Sequence, residues 1–206
     1  MNSQTSRETS PVRLAAGDAL VVVDLQNDFL PGGALAVPAG DRVVPVLNRY
    51  LQLFADRSLP IFATRDWHPA NHCSFREQGG PWPPHCVANT PGAAFAPELA
   101  LPATAVVVSK GTDPQREAYS GFQGTDLAQR LRGDGVRRLF VGGLATEFCV
   151  LATVNDAIRE GFSAFLLLDA IQGLDIQPGD ARRCEQEMVD RGAVALRFEE
   201  IARETA

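Results

Sequence analysis

Four polar residues of this 206-residue chain each follow an apolar run. Asp24 closes "ALVVVD", Asp66 closes "LPIFATRD", Lys110 closes "TAVVVSK", and Cys149 lies just past "RRLFVGG", in "GGLATEFCV". Singly, each has an ordinary explanation: strand-end carboxylates serve turns, lysines are solvated, and free cysteines are mostly buried and inert. Together they make a set for acyl transfer with no histidine in it. A thiolate attacks the carbonyl carbon. A carboxylate takes the thiol proton and later returns it to the leaving group. An ammonium steadies both charges. Cys149 falls in the first turn of an expected helix, where unpaired N–H groups and the helix dipole favour a thiolate and can hold an oxyanion.

The histidines are confined to one stretch. His68, His72 and His85 lie in "RDWHPANHCSF" and "WPPHCV". Asp66-x-His68 with His85 offers a carboxylate and two imidazoles, a donor set for Zn²⁺, Fe²⁺ or Mn²⁺ that leaves positions open for water or substrate. His72 is not assigned as a ligand; it either supports the others or faces solvent.

Positioning these groups requires a particular scaffold. Continuous apolar, β-branched runs alternate with amphipathic segments, which predicts an α/β, single-domain, three-layer αβα fold with a central six-stranded, mostly parallel sheet. In "DRVVPVLNRYLQLFADR", Val43, Val44, Leu47, Tyr50, Leu51 and Phe54 share one helical face, with Pro45 tolerated near the start. Further helices are expected over about 124–135 (capped at Thr125 or Asp126), 147–161, and 179–191 (capped near Asp180). The fifth strand, "SAFLLLD", should end at Asp169, and "AVALRF" should make the sixth. The segment 70–103 is long, irregular and rich in Pro, Gly and His, a length that usually signals function. Ligands of such sheets bind outside the carboxyl ends of the strands, so residues scattered along the chain could converge on one rim.

Composition excludes several classes. A formal net charge of −6 with no basic block leaves no footprint for nucleic acid. No apolar run reaches the length of a membrane span, and "MNSQTSRETSPV" lacks the pattern of a signal peptide. Residues 1–15 read as a disordered polar tail and 16–206 as the domain. Cys73, Cys86, Cys149 and Cys184 are too sparse for a disulfide scaffold, which points to the cytoplasm with reduced thiols. A dinucleotide-binding oxidoreductase would fit the sheet, but no G-x-G-x-x-G follows the first strand.

The pieces "VVVDLQNDFLPGGALAV", "TRDWHPANHCSF", "WPPHCVANTPGAAF", "SKGTDPQREAYSGF" and "GGLATEFCV" together resemble the nicotinamidases (pyrazinamidases) of the isochorismatase-like cysteine hydrolases, over residues 18 to 198. The resemblance implies a catalytic triad of Asp24, Lys110 and Cys149. It implies metal ligation by Asp66, His68 and His85, with zinc the first choice and iron or manganese the alternatives. It implies an oxyanion hole from the backbone N–H groups of Ala145 and Cys149, and a non-proline cis peptide at Leu144–Ala145. Phe29, Trp82 and Tyr119 match positions lining a substrate pocket. The implied reaction is hydrolysis of nicotinamide, with pyrazinamide a further substrate. The alternative is a relative acting on another small carbamoyl or aromatic amide. The implied partner is a small molecule, and a homo-oligomer is compatible with the family. At Glu147 and Phe148 the chain departs from the Asp or Tyr common around there.

Overall fold

Each apolar run becomes a parallel strand. The computed structural model describes residues 11–201. Its elements are β1 (Asp18–Val23), α1 (Val43–Asp56), β2 (Ile61–Asp66), β3 (Val106–Lys110), α2 (Leu127–Gly133), β4 (Arg138–Leu144), α3 (Leu151–Arg159), β5 (Ser163–Gln172), α4 (Asp180–Asp190) and β6 (Val194–Leu196). The strand order is β3-β2-β1-β4-β5-β6, and every pairing is parallel. The chain runs outward from β1 through β2 to β3, then returns to lay β4 on the other side of β1. The order therefore reverses between β1 and β4, and a crevice opens there at the carboxyl ends.

Alternate residues of β1 face two cores, because successive strand side chains point to opposite faces. Leu20 and Val22 pack with Leu47, Tyr50, Leu51 and Phe54 of α1. Ala19, Val21 and Val23 pack with Leu127 and Leu131 of α2, Val154 of α3 and Met188 of α4. Helices thus cover both faces, giving three layers. The buried face of α1 is the set expected from its periodicity. Burying each of its large apolar side chains contributes roughly 1.5–3 kcal/mol.

Three local expectations are revised. β5 runs past Asp169 to Gln172. Asp169 is tolerated inside the strand because its carboxylate accepts bonds from Tyr50 Oη (2.8 Å) and the Phe198 N–H (3.1 Å). Asp126 and Asp180 make no cap hydrogen bond to their helices. Asp126 instead pairs with Arg130, and Asp180 accepts from the Gln177 N–H. Of the expected tail, residues 1–10 lie outside the described residues. Residues 11–15 are fastened: the Val12 N–H donates to Glu200 O at 2.8 Å, and Val12 and Leu14 pack on the core. No helix among the described residues is long and apolar enough to cross a membrane.

Candidate active site

Asp24 is the first residue beyond β1 and turns out of the strand at φ 48. Two contacts to β2 hold it. Its N–H donates to Thr64 O at 3.2 Å, and Thr64 Oγ1 donates to Asp24 Oδ1 at 2.6 Å. Gln26 binds the same junction from the side. Its Nε2 donates to the carbonyls of Asp66 (2.8 Å) and Ala93 (2.9 Å), and its Oε1 accepts the Asp66 N–H at 2.7 Å. Thr64 and Gln26 were not singled out from the sequence.

Asp66 and Lys110 are register partners at the ends of β2 and β3. Lys110 is buried, its Nζ lying 2.8 Å from Asp24 Oδ2, 2.5 Å from Asp66 Oδ1 and 3.4 Å from Cys149 Sγ, with a further bond to Ala118 O at 3.1 Å. Asp24 Oδ2 touches this ammonium without hydrogen-bond alignment, so it keeps acceptor capacity.

Cys149 arrives from β4 by an unusual turn. Gly143 sits at φ 132, where an added Cβ would lie 2.0 Å from Val23 O, so only glycine fits. The Leu144–Ala145 peptide is cis. A π-helical turn, Thr146–Val150, then opens the segment, with the Val150 N–H donating to Ala145 O at 3.2 Å. The π turn in place of a plain α opening was not read from the sequence. π turns cluster at functional sites.

The charges are unequal: one ammonium faces two carboxylates and a thiol. Burial raises the Asp24 carboxyl above the ordinary carboxylate range, though Lys110 pulls it down. Burial also acts to raise Asp66, but Lys110 and then His68 outweigh it and hold that carboxyl below the ordinary range. The Lys110 ammonium, despite burial, is held charged by Asp24 and Asp66. The Cys149 thiol is pushed up by burial, with Lys110 opposing and Asp24 and Asp66 reinforcing. The N–H groups and ammonium that favour a thiolate at Cys149 are therefore opposed, first by its burial and then by the two carboxylates.

Asp66, His68 and His85 place one donor atom each within 4.8 Å of one another, all three buried. His68 Nδ1–H donates to Gly111 O at 2.9 Å and His85 Nδ1–H donates to Pro83 O at 2.8 Å. Each carbonyl selects the Nδ1–H tautomer and leaves Nε2 as a lone-pair donor, the arrangement a metal-binding histidine needs. Oδ2 of Asp66 faces His68 Nε2 at 3.6 Å. This donor set fits a divalent cation. His72 is different. Its Nδ1 contacts Ser74 Oγ (2.7 Å) and its Nε2 contacts Arg116 O (3.1 Å), so both nitrogens are occupied. It lies against the His68 ring, centroids 4.1 Å apart, and supports that ligand.

The thiol and the donor set open into one cleft. Phe29, Trp82 and Tyr119 line it, as expected from the sequence. Trp82 Nε1 donates to Tyr119 Oη at 3.0 Å, and Phe29 lies 5.6 Å from the His85 ring. Leu35, Val37, Phe148 and Leu174 complete the apolar wall. Of these only Phe148 carried a signal in the sequence, its place directly before Cys149.

A fold with its crevice between β1 and β4, a buried Asp–Lys–Cys cluster and an Asp–His–His set beside it define a class, and comparison with known proteins agrees. The Isochorismatase domain family matches residues 18–198, and the chain belongs to that family. Within it the similarity lies with nicotinamidases and pyrazinamidases. The chain is 42% identical to the nicotinamidase of Escherichia coli K12 over 196 residues, 85% of this chain and 92% of that protein. The pyrazinamidase of Pyrococcus horikoshii, solved in complex with zinc, superposes with a TM-score of 0.85 at 55% identity, covering 88% of this chain and 99% of that one. PnC1 from L. infantum, solved in complex with nicotinate, superposes at 0.86 with 37% identity, covering 94% and 98%.

Proposed function

We propose that this protein hydrolyses nicotinamide to nicotinate and ammonia, and accepts pyrazinamide as a related substrate. One observation carries the reading. Lys110 bridges the Asp24–Cys149 pair to Asp66, so the nucleophile and the candidate cation-binding set share one cleft with an aromatic and apolar lining.

Asp66, His68 and His85 would hold a divalent cation, zinc or else iron or manganese, which would supply a fixed positive centre for orienting the substrate. Phe29, Trp82 and Tyr119 enclose the ring. Such positioning can remove several kcal/mol, about 7–11 at the limit, from a barrier. The Cys149 S–H proton passes to Asp24 Oδ2 as sulfur bonds to the amide carbon. The raised carboxyl of Asp24 makes it a competent acceptor, and Lys110 compensates the charge that Asp24 carries before it takes the proton. The backbone N–H groups of Ala145 and Cys149 receive the oxyanion. As the C–N bond breaks, Asp24 returns the proton and ammonia leaves. Asp24 then deprotonates a water that attacks the thioester. The C–S bond breaks, the sulfur regains a proton, and nicotinate departs. The four free thiols suit a reducing compartment, the cytoplasm.

The test is ammonia release from nicotinamide by purified protein, before and after chelation and with Zn²⁺, Fe²⁺ or Mn²⁺ restored. Release that falls on chelation and returns with a metal supports the reading. Folded protein that releases none with any metal refutes nicotinamide as substrate and turns attention to carbamoyl amides.

A further inference from the structure

Glu147 stands two residues before Cys149 in the same π turn, yet it points away from the Asp24–Lys110–Cys149 cluster. Its two carboxylate oxygens are committed to the backbone of the segment joining β5 to α4. Oε2 accepts the Leu174 N–H at 3.1 Å and Oε1 accepts the Asp175 N–H at 2.6 Å. Gly173 permits this approach: an added Cβ would lie 2.6 Å from Oε2 and 2.7 Å from Oε1. The far end of the segment is tied as well. Asp175, in the left-handed conformation at φ 52, accepts the Ala181 N–H of α4 through Oδ1 at 3.2 Å. Between these two ties Leu174 turns into the cleft, while Ile176 beyond it is 66% exposed. The segment is thus a short strap that leaves β5 at Gln172, is tied to α4 through Asp175, and between them is held by two backbone bonds to a side chain of the nucleophile's own turn.

We propose that Glu147 is a positioning residue that sets the height of the Leu174 wall relative to Cys149, and so selects flat, unsubstituted six-membered heteroaromatic amides over ring-substituted ones. Charge-assisted bonds of a carboxylate to two adjacent N–H groups are stronger and more directional than a hydrophobic contact alone. With the anchor in place the apolar wall moves with the turn that carries the thiol. Without it, Leu174 is held by the end of β5 two residues before it and by the Asp175–Ala181 tie after it, but no longer by the turn that carries the thiol. The inference rests on the cleft being the amide site described above.

The experiment uses the metal-loaded enzyme with nicotinamide and 5-methylnicotinamide as probes, and hydrogen exchange over residues 173–176. In Glu147→Ala the amides of Leu174 and Asp175 should exchange about tenfold faster or more. KM for nicotinamide should rise about tenfold. Its kcat should stay within about threefold, and the preference over 5-methylnicotinamide should narrow. Glu147→Asp should recover part of each change. Leu174→Ala keeps both N–H bonds, and should narrow the preference without speeding exchange at Asp175. Faster exchange with unchanged KM and preference would overturn the proposal, as would a loss of kcat at unchanged KM, which would place the role of Glu147 on the nucleophile itself. If Glu147→Ala does not fold, Glu147→Gln, which keeps one acceptor, carries the same comparison. Wild-type protein inert to nicotinamide would refute the amide reading instead, a result separate from the exchange behaviour of the strap.

Discussion

Replacing Lys110 by methionine keeps most of the apolar stem and removes the ammonium, with its charge and its hydrogen bond to Ala118 O. The wild-type ammonium is buried and contacts two buried carboxylates, at 2.8 Å and 2.5 Å. Removing one partner of a buried ion pair costs about 3–5 kcal/mol, chiefly because the other charge is left uncompensated. Here two charges are left, so the upper part of that range applies. For a chain of this size each kcal/mol lowers Tm by about 2–4 °C, so a cost of about 4–5 kcal/mol gives a fall of roughly 8–20 °C. The pH dependence identifies the cause. In the wild type Asp66 is held below the ordinary carboxylate range and Lys110 is held above its own. Asp66 therefore contributes stability that is present above the unfolded carboxylate pKa and lost as pH falls through its folded value. Lys110 contributes stability that is present below the unfolded lysine pKa and lost as pH rises through its folded value. Both contributions are intact across neutral pH. In Lys110→Met the burial that raises Asp24 is unopposed by an ammonium, so Asp24 titrates still further above its unfolded value, while Asp66 keeps only His68 against its burial. The folded variant then binds more protons than the unfolded chain, and its stability falls as pH rises. The Tm deficit should therefore be larger at pH 8 than at pH 5. Calorimetry of chelated protein, so that no cation substitutes for the ammonium at Asp66, measures it. A variant as stable as wild type, or a deficit equal at both pH values, would refute the charge-compensation reasoning.

Thr64→Val keeps the shape of the side chain and removes the hydroxyl bonded to Asp24 at 2.6 Å. A hydrogen bond to a charged group contributes about 1.5–3 kcal/mol, so kcat/KM should fall roughly 10- to 100-fold. That bond favours the ionised carboxylate, so the acid limb of the pH–rate profile should move upward; an unmoved limb would detach Thr64 from Asp24. His85→Ala should lower the metal content measured by elemental analysis and raise KM, while Cys149 remains open to alkylation. Full metal occupancy in that variant would remove His85 from the ligand set.

Much of this arrangement was legible in the sequence. The periodicity of residues 43–54 identified the buried face of α1, because one amphipathic helix needs no partner to declare its apolar stripe. The convergence of Asp24, Asp66, Lys110 and Cys149 followed from their places at the ends of apolar runs, since a parallel sheet collects those ends on one rim. Thr64 and Gln26 were not legible. Thr64 lies two residues inside β2, and its role depends on Asp24 leaving β1 with positive φ beside it. Gln26 acts by spanning two chain segments that only the tertiary fold brings together. Leu174 carried no signal in the sequence, because it reaches the cleft wall where the segment after β5 meets Glu147. The local signals at Cys149, a helix opening and a nearby lysine, favour a thiolate. Only the assembled site shows two carboxylates around the same ammonium.

The central claim is that Cys149 is the nucleophile that breaks the amide bond. The most direct measurement is ammonia release from nicotinamide by metal-loaded wild type and by metal-loaded Cys149→Ala. Release by the wild type and none by the variant, with metal content equal in both, is the predicted result. Ammonia release by Cys149→Ala at the wild-type rate would contradict it.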